Sequence, residues 1–302
     1  MPTPDETSAL TTVRDLVRWG ASRFAHAGLA YGHGTDNALD EAFHLVLHAL
    51  RLPADLPAVY LEAHVTASER EAVLDLLMAR VETRLPAAYL IGEIQFCGLS
   101  FTVDERVLVP RSPIAEMIER RFEPWLQREP ERILDLCAGS GCIGIACAYA
   151  FPEASVDLGE LDRGALAICE ANIARHRCGD RVSAIRTDVF EGLGGRRYEL
   201  IVTNPPYVPT AEWQALAPEY RHEPRIALDA GPDGMDIVER IVVGAPGHLS
   251  EGGLLVCEVG GSMDEFEARF PQIPVTWPAF ERGGDGVFVI SREALLDWLH
   301  ED

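Results

Sequence analysis

Asn204-Pro205-Pro206-Tyr207 stands at the end of an apolar run, Leu200-Ile201-Val202-Thr203. Two consecutive prolines fix φ and remove N–H donors, so this turn offers its carbonyls as acceptors only. The Asn204 side-chain oxygen and the Pro205 carbonyl would take the two hydrogens of one planar NH2 group, with Tyr207 as a flat wall beside it. A proline-stiffened turn without chemistry is the plainer alternative, and a second constellation upstream disfavours it. Asp135-Leu136-Cys137-Ala138-Gly139-Ser140-Gly141-Cys142 follows one predicted strand and opens one predicted helix. Glycines there let the main chain turn sharply and approach a ligand, while the helix start presents free N–H groups to a carboxylate. A lone Gly-x-Gly is weak, but strand before and helix after make it a cofactor loop. No Gly-Lys-Ser or Gly-Lys-Thr follows, which disfavours a nucleotide-phosphate loop.

About 25 residues beyond Asp135 the next strand ends at Glu160, where a carboxylate suits both ribose hydroxyls of an adenosine-containing cofactor. Asp157 falls inside that strand, and Asp162 opens the following helix, where capping is its ordinary role. Thr187-Asp188-Val189-Phe190 follows the third strand and offers Asp188 to an adenine amino group, with apolar neighbours to pack on the ring. An Asp after a strand is also a common turn residue.

These residues need elements to carry them. From Arg132 onward, short apolar runs alternate with helical patterns: Ile133 to Leu136, Ser155 to Leu158, Val182 to Ile185, Leu200 to Thr203, Leu254 to Val259 and Gly286 to Ile290. That alternation predicts an α/β fold with a doubly wound, mainly parallel sheet, which binds ligands at the carboxyl ends of its strands. Ahead of it, Ile94, Phe96, Phe101 and Val103 alternate around Cys97-Gly98, which predicts a β-hairpin. A helix is expected after Pro110-Arg111-Ser112-Pro113, with serine as cap and proline in the first turn. The first 85 or so residues read as a small helical bundle. Its first helix carries Leu10, Val13, Val17 and Phe24. The second, after Thr35-Asp36-Asn37, carries Leu39, Ala42, Phe43, Val46, Leu47 and Leu50, and the third Val73, Leu76, Leu77 and Val81.

Composition narrows the function classes. With 302 residues and 47% hydrophobic content the chain supports a sizeable core. The acidic, proline-containing start has no basic segment and apolar run of a signal peptide, and no apolar stretch reaches the roughly 20 residues of a membrane span, so a cytoplasmic location is expected. Seven cysteines without a Cys-x-x-Cys pair read as reduced, buried thiols. His44 and His48, four apart on a helix, lack a third ligand at suitable spacing, so no metal is expected. The net charge of −22 opposes a phosphate backbone and favours a basic protein partner over DNA.

The run Asp135-x-Cys137-x-Gly139-Ser140-Gly141-Cys142-Ile143 together with Asn204-Pro205-Pro206-Tyr207 resembles the protein-glutamine N5-methyltransferases, the HemK/Prm family, over nearly the whole chain. The resemblance implies a Rossmann-like class I methyltransferase domain with a seven-strand sheet over residues 111–302. It also implies a helical substrate-recognition domain over 1–90, and a hairpin linker over 91–110. It implies S-adenosyl-L-methionine as cofactor and S-adenosyl-L-homocysteine as product. Asp135, Cys137, Ala138, Gly139, Ser140 and Gly141 would then hold the methionine end, Glu160 the ribose, Asp188 and Val189 the adenine. Asn204, Pro205, Pro206 and Tyr207 would bind the glutamine, Asn204 also touching the cofactor. The sequence departs from the family where Thr is expected at Ala138 and Asp at Glu160. Val107 to Glu116, Glu219 to Pro224 and Gly283 to Phe288 resemble the PrmB branch, which modifies a glutamine of large-subunit ribosomal protein L-three, free or in an assembling subunit. The alternatives are glutamine methylation of release factors, adenine-N6 methylation of DNA, and a non-catalytic, cofactor-binding scaffold for ribosome assembly.

Overall fold

Thr12 and Asp15 exchange side-chain and main-chain hydrogen bonds and so start α1 (Val13–His26). Asn37 starts α2 (Ala38–Ala49) by accepting from the Leu39 and Asp40 N–H groups, and Thr66 with Glu69 builds a second reciprocal cap on α3 (Ala67–Thr83). Each cap satisfies donors that a helix start otherwise leaves open. The computed structural model describes residues 7–301; the first six residues, read above as lacking a signal peptide, and Asp302 lie outside them. Leu16, Phe24, Ala42, Leu45, Val46, Val73 and Leu77 form the fully buried centre of this helical unit. Leu39, expected on the buried face of α2, is 55% exposed, because the stripe is centred on Leu45 and Val46 and Leu39 lies at its edge. A short α4 (Ala87–Ile91) follows Pro86, an element the periodicity does not foresee.

Among the described residues the helical unit comprises 7–93 together with Ala217–His222. By sequence order the second segment falls within residues 111–302. Its 3-10 turn, Pro218–His222, joins the helical unit through Glu219, which is fully buried and pairs with Arg84 at 2.9 Å. Glu219 also accepts the Ala30 N–H at 3.0 Å, and the fully buried Arg80 lies nearby, paired with Glu41 at 2.8 Å. A buried carboxylate has to find such partners, and those for Glu219 stand on this unit.

The second unit comprises 94–216 and 223–301 of the described residues. It begins at Ile94, inside the hairpin of β1 (Glu93–Phe96) and β2 (Leu99–Thr102). Cys97 and Gly98 both have positive φ at the turn, as the right-handed twist of a two-residue hairpin requires. Phe96 and Phe101 of the hairpin pack into the core of the sheet unit. Next come α5 (Ile114–Glu119), β3 (Arg132–Leu136), α6 (Cys142–Ala150), β4 (Ser155–Glu160), α7 (Arg163–His176), β5 (Val182–Arg186) and β6 (Tyr198–Thr203). The chain continues through α8 (Thr210–Ala215), α9 (Asp236–His248), β7 (Leu249–Glu258), α10 (Met263–Arg269), β8 (Val287–Ser291) and α11 (Arg292–Glu301).

The sheet order is β5-β4-β3-β6-β7-β8, parallel except for β8 against β7. Successive strand residues feed opposite faces: Ile133, Leu200 and Val287 pack with α5 and α6, whereas Leu134, Ile201 and Phe288 pack with α9, α10 and α11. Burial on both faces explains why these strands read as continuous apolar runs. The expected seventh strand is reduced to an isolated antiparallel bridge, Thr276 with Val289. Pro271, Pro274 and Pro278 flank it, and each removes a ladder donor and confines pairing at that edge. Among the described residues no helix is long and apolar enough to cross a membrane.

Candidate active site

Strand order reverses between β3 and β6, since the chain first winds outward through β4 and β5 and then returns to the other side of β3. The carboxyl ends of these two strands carry the cofactor loop and the Asn-Pro-Pro-Tyr turn, the place where such sheets bind ligands. A cleft with an open volume of about 180 Å³ lies there. Cys137, Ala138, Gly139, Ser140, Glu160, Asp188, Val189, Asn204 and Pro206 all line it. Cys137 and Val189 both hold positive φ, 55° and 51°. Left-handed backbone at non-glycine residues is costly and concentrates where ligands are clamped.

Glu160 is shaped by the loop it faces. Its Oε2 accepts the Gly139 N–H at 2.9 Å and its Oε1 the Asp162 N–H at 2.8 Å. Burial pushes its pKa up, against the pull of those N–H groups. Both oxygens keep further lone pairs toward the cleft. The rival Asp157 does not line the cleft; it accepts from Arg196 at 2.9 Å and from the Tyr198 hydroxyl at 2.7 Å. Asp162 caps α7 through the Gly164 and Ala165 N–H groups. Asp188, half-exposed, pairs with Arg240 at 2.8 Å.

Two predicted cofactor residues do not reach the cleft surface. Gly141 is buried at the start of α6. Asp135 is 1% exposed and accepts the Gly144 N–H at 2.8 Å from behind the loop. The alternation along β3 turns its side chain toward α6, where it braces the loop.

A second, smaller pocket of about 30 Å³ opens beside the first, lined by Asn204, Pro205 and Tyr207 with Leu108, Arg111 and Val208. Asn204 and Arg111 border both spaces. Among the described residues no hydrogen bond engages the Asn204 side chain or the Pro205 carbonyl. Tyr207 is firmly held: its hydroxyl donates to Glu258 at 3.1 Å and its carbonyl accepts from Ser262 at 2.9 Å. Burial and the Glu258 charge drive its pKa upward, which keeps the phenol protonated.

Comparison with known proteins adds the family. The description "Methyltransferase small domain" matches residues 122–219. A protein of Xanthomonas campestris pv. campestris named "Ribosomal protein uL3 glutamine methyltransferase" is 51% identical over 288 residues, covering 95% of this chain and 93% of that one. A protein of the same name from Xylella fastidiosa is 50% identical over 301 residues, covering 99% and 96%. The chain belongs to this family of methyltransferases. A methyltransferase structure from Pyrococcus furiosus aligns at 16% identity and a TM-score of 0.47 over 74% of this chain and 98% of its own.

Methyl transfer of this kind draws on S-adenosylmethionine, and the residues of this family member fit it. The cleft offers a loop of bare backbone at Gly139, where a Cβ would meet nothing within 4 Å. It also offers the Glu160 carboxylate for ribose hydroxyls and the unengaged Asn204 amide. Sequence reasoning missed three of the residues that shape the site. Glu223, 3% exposed, grips Arg111 with both oxygens at 2.6 and 2.7 Å and also takes the Val109 N–H at 2.9 Å. Asn172, fully buried, ties the Ser140 carbonyl of the cofactor loop to Thr102 of β2. Glu258 joins Tyr207 to Ser112, whose hydroxyl donates to it at 2.5 Å. Ser112 was expected as a helix cap; it accepts the Ile114 N–H at 3.2 Å, but Pro113 occupies the cap position. The family-like stretches around Arg111, Glu223 and Gly284 meet in space here, since a Cβ on Gly284 would stand 2.9 Å from Pro113.

Proposed function

We propose that the chain methylates the side-chain amide nitrogen of a glutamine in ribosomal protein uL3, the substrate named in its relatives. The observation that supports this most directly is the unengaged acceptor pair of Asn204 and Pro205 beside a pocket of about 30 Å³. The pocket is small and opens directly onto the cofactor cleft through Asn204 and Arg111, which suits an amide head brought beside a methyl donor. The net charge of −22 likewise favours a basic ribosomal protein over a nucleic acid. In this reading the helical unit recognises the protein around the glutamine.

A primary amide nitrogen is a poor nucleophile, because its lone pair is delocalised into the carbonyl. Asn204 and Pro205 compensate by accepting both hydrogens, which raises electron density on nitrogen and fixes its direction. Such positioning supplies up to roughly 7–11 kcal/mol in favourable systems. The bound cofactor supplies an electrophilic methyl carbon on a positively charged sulfur and leaves as S-adenosylhomocysteine. Glu160 would hold its ribose, Asp188 and Val189 would border its adenine, and the loop from Cys137 to Ser140 would cradle its methionine end. The nitrogen that has gained the methyl is acidic enough to lose a proton to water, so no strong base is needed. His222 is engaged with the Thr83 carbonyl at 3.1 Å and Asp188 with Arg240, which agrees with neither serving as one.

Labelled cofactor offered with uL3, with an assembling large subunit, with a release factor and with duplex DNA tests the reading. Label on one glutamine-containing uL3 peptide is expected, located by mass spectrometry. Label on the release factor or DNA instead, or on nothing, overturns it.

A further inference from the structure

Glu258, the last residue of β7, is 4% exposed and among the described residues takes part in no salt bridge. Its partners are two hydroxyls from distant parts of the chain. Tyr207 donates to Oε1 at 3.1 Å across 51 residues, and Ser112 donates to Oε2 at 2.5 Å across 146. Tyr207 lines the small acceptor pocket and Ser112 lines the cofactor cleft. The two hydroxyls therefore belong to two walls of one site, and a single carboxylate spans them.

Burying a carboxylate with no cation bonded to it is costly, and the nearby Arg111 charge and hydrogen bonds from neutral hydroxyls only partly offset it. For packing alone, an apolar residue would be more stable at the end of an apolar strand. What the carboxylate provides is geometry: two strong, directed acceptors at fixed separation. Tyr207 has other restraints, its carbonyl on Ser262 and its ring against Gly260. Of these, the hydroxyl contact is the one that it shares with the 110–113 segment.

We propose that Glu258 is a positioning residue for the methyl transfer, acting through Tyr207 on one oxygen and Ser112 on the other to set the spacing between the acceptor turn and the cofactor cleft. It touches neither substrate nor cofactor. The proposal rests on the glutamine-methyltransferase reading above, and a double-mutant cycle separates the two.

Glu258→Gln, Tyr207→Phe and the double variant are compared for turnover on uL3, for KM, and for cofactor affinity by calorimetry. Each single change is expected to lower kcat by about 10- to 100-fold, the range that a misplacement of about 1 Å can cause, with cofactor affinity within about two-fold. The double variant is expected to be no slower than the slower single, because both remove the same contact. Ser112→Ala, which leaves the strand untouched, is expected to lower kcat in the same sense and also to be non-additive with Glu258→Gln. Losses that multiply in an active enzyme overturn the proposal alone, as does a Glu258→Gln enzyme with unchanged kcat. A loss confined to cofactor affinity or to thermal stability overturns it too. A wild-type chain that methylates no uL3 overturns the proposal together with the reading beneath it.

Discussion

The Asp135 carboxylate accepts the Gly144 N–H at 2.8 Å through Oδ2, while its Oδ1 has no partner at a position 1% exposed. The two residues are fitted to each other: a Cβ on Gly144 would stand 2.9 Å from the Asp135 Cβ and 2.2 Å from Leu158. The contact holds the first turn of α6 under the cofactor loop. It places a titratable group where water does not reach it.

Burial pushes the Asp135 pKa up to about 8 from an ordinary value of 3.8, opposed by the Gly144 N–H and assisted by the Glu160 charge. Between these values the folded chain binds more protons than the unfolded chain, so this residue makes stability fall as pH rises from about 4 to about 8. Glu258, pushed to about 7 by burial, acts in the same sense. Asp135→Asn is therefore expected to flatten that fall. Denaturant midpoints at pH 5 and pH 8 measure it: the variant should gain on the wild type at the higher pH, and parallel profiles would refute the placement.

Asn204→Ala should leave cofactor affinity within a few fold and lower turnover by about 100-fold or more, since it deletes one of the two oxygens that orient the amide. Calorimetry beside a methyl-transfer assay reads both quantities. Unchanged turnover would dismiss Asn204 from the chemistry.

Glu160→Ala should act in the opposite order. It removes the carboxylate offered to the ribose and also strips the Gly139 and Asp162 N–H groups of their acceptor. Cofactor affinity is expected to fall by about 10-fold or more, the effect of losing charge-assisted hydrogen bonds of about 1.5–3 kcal/mol. An unaltered dissociation constant would move the ribose contact to Asp162, which also lines the cleft.

Gly260→Ala tests how tightly Tyr207 is seated. Gly260 has φ of 50°, and an added Cβ would lie 2.7 Å from the Tyr207 ring. Left-handed strain costs on the order of 1 kcal/mol, and the ring must move as well. Thermal melting and kcat should both fall, and cofactor affinity should hold. A variant with wild-type kcat would mean that the position of the Tyr207 ring is unimportant for the reaction.

The central strands were legible in the sequence because they are buried on both faces, which writes them as apolar runs such as Leu200 to Thr203, while the outer β4 and β5 were legible from their spacing between helical patterns. The hairpin turn at Cys97-Gly98 and the capped start of α2 at Asn37 were legible for a related reason: their physics is local, confined to a few neighbouring residues. The same holds for the backbone of the site. A glycine loop between strand and helix, and two prolines after a strand, announce themselves wherever they stand.

Tertiary structure decided what long-range partners do. Asp135 reads like a cofactor ligand in its motif, yet its direction depends on the pleat of β3 and the arrival of α6. Glu219 and Glu223 lie four apart in one short stretch, but one is buried against Arg84 of the helical unit and the other against Arg111 of the sheet unit. Glu258 looks like any polar residue ending a strand until Tyr207 and Ser112 converge on it. The seventh strand shrank to one bridge because prolines removed the donors a ladder needs. A sequence displays propensities that act over a few residues; which buried carboxylate finds which donor is fixed only when segments about 50 to 150 residues apart are packed together, since an unpaired buried charge is too costly to leave.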